Sequence, residues 1–329
     1  FALYVAFFPQ LVAGPVERAP HLLPQFSRPF RLSREMVYEG VFLILLGFIK
    51  KVVIADRIAR NIQPYFETLA TDPVDAAVCM LLFTCQIYVD FSSYSDIAIG
   101  LGLLLGYNIR PNFNLPFVVP SIPERWRRWH ISMSHWFRDY IFIPLGGSRK
   151  GKVRTQVNIM LVMFLSGLWH GASNNFVVWG LGNGATMVGH KLLIRPLRFV
   201  STRMERHPVT RVSYYYLCCL MTFFMISSLN IFFRCPDWVT AKSYVAAIFM
   251  SGTSAYVELL YNGFKMPIEL WEGLGWLALV FVAHELQRYF DLRSKILQSR
   301  RIWAVTCLAS FWWIVTFGIS GPEFIYYQF

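Results

Sequence analysis

Long apolar runs separated by short basic segments set the plan of this 329-residue chain. A helix needs about 20 mostly apolar residues to cross the hydrocarbon of a bilayer, at about 1.5 Å per residue. The clearest runs of that kind are Val37–Ile54, Ala76–Asp90, Tyr214–Phe233, Leu270–Leu286 and Ile302–Ser320, with more ambiguous stretches at Ile97–Tyr107, Val157–Trp169 and Phe176–Leu193. This pattern predicts an all-α, polytopic membrane protein with residues 1–329 in a single membrane domain. No internal repeat is visible.

The loops orient the spans, because cytoplasmic segments keep their Lys and Arg. Residues 191–211 hold six basic side chains (Lys191, Arg195, Arg198, Arg203, Arg206 and Arg211) against Glu205, and residues 288–301 hold five against Asp291. Both loops are expected in the cytoplasm. The balanced stretch 234–269 and the final Phe329 are then expected outside. Residues 110–154 break the pattern: Pro and Asn come first, then a dense Trp/Arg/His segment. Within it, Glu124–Tyr140 has the composition of one helix lying at the cytoplasmic interface.

Composition supports this plan. Hydrophobic residues make up 55% of the chain and charged ones 15%, against about 25% charged in soluble domains. The net charge of +12 could mark a nucleic-acid binder, but the basic residues sit in blocks between apolar runs rather than in one stripe. No nucleic-acid partner is expected; the lipid bilayer is. The six cysteines lie mostly in apolar runs, contain no C-x-x-C pair and read as buried hydrophobes. The chain starts at Phe1 with no visible signal peptide, so an upstream part is expected to be missing.

An ionisable side chain at bilayer depth costs at least about 2.5 to 3.5 kcal/mol and is a functional candidate by default. Asp90, Asp96, His170 and His284 meet that description. His170 sits where two apolar stretches join, between basic Arg154 and Lys191, so they should form a hairpin. Fourteen residues from Gln156 to Trp169 reach only about 21 Å as helix, short of the roughly 30 Å of hydrocarbon. The small polar turn from His170 to Asn175 would then stop inside the protein and face a cavity. The plainer alternative is a histidine hydrogen-bonded between helices, which suits His284 better. Asp90 and Asp96, six residues apart, share no helical face and form no acid/base dyad; hydrogen bonds to histidine, arginine or backbone suit them. With no H-x-x-x-H, H-E-x-x-H, G-x-S-x-G or Walker loop, neither a metal site nor ATP-driven transport is expected.

Five segments in order carry a resemblance: Phe7 to Pro15, Tyr88 to Gly102, Trp126 to Gly151, Leu168 to Ala172 (L-W-H-G-A) and the terminal F-I-Y-Y-Q-F. Together they resemble the membrane-bound O-acyltransferases, and within them the alginate branch. The resemblance implies a ring of tilted helices, with interfacial and re-entrant helices, around a central funnel. It makes His170 the catalytic residue and His130 the second histidine, and it implies that family members carry additional N-terminal helices. Trp169, Asn174, Asn175, Arg127, Asp90 and Asp96 complete the expected supporting or channel-lining set. Two departures stand out: Ser93 where the family has Gly, and Asn174-Asn175 where a bulky pair is commoner.

Transfer of an acyl group from a thioester to an alcohol needs a base where the two meet, and neutral imidazole can fill that role. His130, Arg127 or the Asn174-Asn175 turn could stabilise the oxyanion. The implied donor is acetyl-CoA or another acyl thioester, with no bound cofactor. The implied acceptor is an exopolysaccharide, reached with the help of exported acetyltransferase partners, from the bacterial inner membrane. Two readings compete: D-alanyl transfer to teichoic acid, and a transporter or flippase using Asp90, Asp96 and His170 as a proton relay.

Overall fold

The computed structural model describes residues 1–11, 13–29, 31–194, 202–204, 207–252 and 266–325. Arg195, Arg198, Glu205 and Arg206 of the basic loop, much of the stretch 234–269 and the last four residues of the terminal motif lie outside them. Every regular element among the described residues is helical.

The first apolar run becomes α1 (Arg34–Phe48), a π-helical turn (Ile49–Ala55) and α2 (Asp56–Phe66), which follow one another without a break. Ser33 opens α1 by accepting the Met36 N–H at 3.2 Å. Beside this run lies α3 (Pro73–Leu104), started by the Asp72 carboxylate, which accepts the Val74 and Asp75 N–H groups at 2.8 and 2.9 Å. It merges two runs that the sequence separates at Asp90 and Asp96. The helix continues because both carboxylates find cations on the neighbouring run: Lys51 lies 2.8 Å from Asp90, and Lys50 lies 2.6 Å from Asp96.

The expected interfacial helix over residues 124–140 is two helices, α4 (Ile122–Arg128) and α5 (Ile131–Phe137), followed by a π-helical turn (Arg138–Phe142). The break falls at His130, whose backbone is left-handed (φ 43°, ψ 54°). A non-glycine residue seldom adopts that conformation. Here the preceding Pro/Asn segment compensates: Asn114 N–H bonds Arg128 O at 3.0 Å and Ile131 N–H bonds Asn112 O at 2.9 Å.

The predicted hairpin is present as α6 (Lys152–His170) and α7 (Asn174–Leu193). Its first arm has 19 residues rather than 14, about 28 Å, so a short arm is not what places the tip. His170 is the last helical residue, and the turn is Gly171 to Ser173. The arms touch at two glycines: a Cβ on Gly180 would stand 2.5 Å from the Met163 carbonyl oxygen and 3.2 Å from the Gly167 Cα. Only hydrogen side chains allow that approach.

The remaining long helices are α8 (Pro208–Arg234), α9 (Trp238–Phe249), α10 (Ile268–Phe290) and α11 (Arg300–Phe317); shorter ones span Ala2–Val5, Ala19–Phe26 and Leu292–Gln298. Four of the five clear runs lie wholly within helices, and Ile302–Ser320 does so up to Phe317; among the described residues only α3 and α8 are long and apolar enough to cross a membrane by length and composition alone. The helix ends that flank the two basic loops meet at one end of the bundle. Arg288 bonds the Tyr215 hydroxyl at 2.7 Å, joining the end of α10 to the start of α8. Trp303 bonds the Tyr38 carbonyl at 2.9 Å, joining α11 to α1. At the other end, Asn61 bonds Glu269 and Arg234 bonds Gln63.

The C-terminal segment adds a feature with no counterpart in the apolar pattern. After α11 it folds back into the bundle, with Ile319 N–H on Val52 O at 3.0 Å, Pro322 O accepting from Lys51 at 2.9 Å and Ile325 N–H on Asp90 at 2.6 Å. Residue 329, expected outside, is beyond the described residues. The inward path follows from the buried charges, which leave acceptors and donors that the strap satisfies.

Candidate active site

A cavity of about 450 Å³ lies between α4, α5, α6, α7 and α8, within the size range of small-molecule sites. Its wall on α7 is Trp179, Asn183, Met187 and Lys191, one stripe at four-residue spacing. Its wall on α6 runs from Ile159 to His170, so both walls are roughly 17 Å long. Lys191 and Arg138 line the cavity toward the basic end, and His170 and Phe233 toward the hairpin tip.

Both histidines singled out by the sequence line this cavity, each with its ring beside that of Trp169. The Trp169 ring centroid is 4.7 Å from that of His170 and 6.3 Å from that of His130. His170 is further framed by Phe233 at 4.8 Å and Trp179 at 5.2 Å. Trp179 is held in turn by its indole N–H on Asn230 at 3.2 Å, while Asn230 donates to Thr84 at 3.1 Å. The rings fix the imidazole of a residue whose helix ends under it.

His130 is oriented by Asn112, a buried residue that the sequence reading passed over. Asn112 Oδ1 stands 3.1 Å from His130 Nδ1, and also accepts the Ser132 hydroxyl at 2.8 Å and the Ser132 N–H at 3.3 Å. An amide oxygen only accepts, so Nδ1 carries the proton and Nε2 the lone pair of the neutral ring. Ser132 in turn accepts the Val16 N–H at 2.9 Å. Asn112→Ala should therefore lower a His130-dependent rate by about 10- to 100-fold, the scale of losing a supporting partner, with little change in the apparent affinity for the donor. Steady-state kinetics over a donor titration checks this; a pure affinity change would contradict it.

The other expected residues separate. Arg127 lines the cavity, but its side chain is 77% exposed and leans toward Glu124 at 3.9 Å. Asn174 and Asn175 do not line it; Asn174 is exposed at the start of α7, and Asn175 donates to the Cys235 carbonyl at 3.0 Å. Asp90 and Asp96 are bound to Lys51 and Lys50 away from the cavity wall, so neither joins His170 in a relay. Lysine, rather than histidine or arginine, is their charged partner, and Asp90 also accepts the Ile325 backbone N–H. The signal was present as two adjacent lysines inside the run Val37–Ile54. His284 shares a 3.0 Å hydrogen bond with the Tyr88 hydroxyl between α10 and α3. On the surface below the cavity, Asp139 is bound by Arg138 at 2.7 Å and Arg18 at 2.6 Å, which together hold its carboxyl down to about 2. Among the described residues no group of three His, Cys, Asp or Glu side chains is placed to hold a metal ion.

Residues 1–233 match the model of the membrane-bound O-acyltransferase family. The chain is 45% identical over 208 residues to a probable alginate O-acetylase, AlgI, of Azotobacter vinelandii, covering 61% of this chain and 42% of that protein. It is 35% identical over 244 residues to a peptidoglycan O-acetyltransferase of Helicobacter pylori, covering 73% and 45%. A teichoic acid D-alanyltransferase of Bacillus subtilis is 25% identical over 194 residues, covering 56% and 49%. The chain spans less than half the length of each of these relatives.

Proposed function

Because this chain belongs to the membrane-bound O-acyltransferase family, we propose that it moves an acetyl group from a cytoplasmic acyl thioester such as acetyl-CoA to hydroxyls of an alginate-type exopolysaccharide. The observation that carries this reading is the cavity running from the basic end to two histidines around Trp169. An extended thioester arm entering from the cationic end would lay its carbonyl beside the imidazoles. In this reading His170 takes the proton of the acceptor hydroxyl as its oxygen bonds the thioester carbon. The tetrahedral oxyanion then collapses, the C–S bond breaks and the thiolate leaves, needing little acid assistance. His130, with its proton on Nδ1, presents the Nε2 lone pair and serves as a second base or relay. Trp169 packs edge-on beside both rings.

The similarity to alginate O-acetylases supports acetate and a uronate polymer over D-alanine and teichoic acid. The broken α4 and α5 segment and the α6–α7 hairpin support a ring of tilted spans with interfacial and re-entrant helices around a central funnel; in this reading the bilayer is a bacterial inner membrane. Exported acetyltransferases are the proposed partners, since the polymer lies outside and the donor inside.

Membrane vesicles holding the full-length protein and labelled acetyl-CoA test the reading, with mass spectrometry of the polymer as readout. Acetyl esters that depend on the protein are the expected product. D-alanyl esters from a charged carrier would replace acetyl transfer by the teichoic acid reaction. Proton or substrate uptake without donor consumption would replace it by transport.

A further inference from the structure

The acyl-transfer chemistry leaves one cation on the cavity wall without a role. Arg125 lines the cavity and is only 5% exposed. Its guanidinium lies 3.8 Å over the face of Trp129. No carboxylate or other acceptor among the described residues comes within hydrogen-bonding reach of it; the adjacent acid, Glu124, is taken by Arg128 at 2.8 Å. A guanidinium does not shed its proton, and an aromatic face offsets only part of the cost of burying a charge. So placed, it calls for an anion.

A second orphan faces the same space. Asn183, 1% exposed, lines the cavity from α7 and donates Nδ2 to the Trp179 carbonyl at 2.8 Å. That bond fixes the amide orientation, because a carbonyl only accepts. Oδ1 is left buried with no donor. Native interiors rarely tolerate such an acceptor unless something else satisfies it.

We propose that Arg125 is the anion-binding contact of the cavity, gripping a carboxylate or phosphate of the bound substrate while Asn183 Oδ1 accepts an amide or hydroxyl proton of the same molecule. The planar fork of arginine fits either anion through two parallel hydrogen bonds. Two substrates offer the pair of features: a coenzyme-A-type donor has phosphates and amides, and a uronate acceptor has carboxylates and hydroxyls. Only the identity of these substrates rests on the acyl-transfer reading; the site itself does not.

Thermal unfolding of the full-length protein in detergent distinguishes the sources. Two probe pairs are compared: acetyl-CoA against acetyl-pantetheine, which lacks its phosphates but keeps the amides, and a short oligouronate against its methyl ester. The anionic member of one pair should stabilise the wild type selectively, naming the source. Arg125→Met should raise the unfolding temperature of the ligand-free protein, because an uncompensated charge is gone, and should bind that anion at least about tenfold more weakly. Arg125→Lys, which keeps the charge but not the fork, should fall between. Asn183→Leu should weaken both members of the pair alike. A ligand-free Arg125→Met protein that melts below wild type makes the arginine a structural residue and overturns the proposal. So does wild-type binding that ignores charge in both pairs, or discrimination that survives in Arg125→Met. Loss of acyl transfer with discrimination intact counts against the catalytic reading alone.

Discussion

Replacing His170 by alanine is expected to lower acyl transfer by about 10² to 10⁴, the share a positioned general base contributes, with the amount of protein in the membrane unchanged. The substitution leaves the hairpin intact for a local reason. Gly171 N–H bonds Leu168 O at 3.2 Å and Ser173 caps α7 on its own, so the turn does not depend on the imidazole. The packing of Trp179 is also independent of it, through Asn230. Initial rates of polymer acetylation in vesicles, read beside protein level, decide the matter. A rate within threefold of wild type at equal protein would remove His170 from the chemistry and leave His130 as the base. In that event only a His130→Ala protein would show the loss.

The largest effect on stability is expected at Lys51. Lys51 is buried, its ammonium lies 2.8 Å from both Asp56 and Asp90, and it donates to Pro322 O at 2.9 Å. Lys51→Met removes the only ion-pair partner that either buried carboxylate has among the described residues. Leaving buried charges unpaired costs about 3 to 5 kcal/mol, and the C-terminal strap loses one of its ties to the bundle. A fall in unfolding temperature on the order of 10 °C follows, measured in detergent on the full-length protein. The double replacement Lys51→Met with Asp90→Leu should recover part of it, since replacing both members of a buried pair is far less costly than removing one. A single variant as stable as wild type would mean that water reaches the carboxylates, and would reopen a proton path along α3.

The glycine contact and the arginine site show two different reasons why a residue escapes a linear reading. Gly167 and Gly180 are ordinary in sequence, thirteen residues apart, and become indispensable only when two helices turn back on each other. Arg125 sits in a row of basic residues, E-R-W-R-R-W-H, where each looks equally suited to a solvated face. The break at His130 and the rotation of α4 bury Arg125 while leaving Arg127 exposed, so the helical phase that decides between them is set by neighbours far away in the chain. Asn112 is hidden for a related reason: its role is to complete hydrogen bonds of residues 18 to 20 positions later.

From the amino-acid order alone came the helical class, the positions of the apolar runs, the hairpin around His170 and the family to which its motifs point. Those properties depend on local composition and short-range spacing, which a burial period or a charge bias records directly. The continuity of α3 through Asp90 and Asp96, the split at His130, the inward course of the C-terminus and the meeting of His130 with His170 at Trp169 required the folded arrangement. Each depends on which distant group supplies a counter-charge, a hydrogen bond or a packing surface, and no local pattern in a chain encodes that choice.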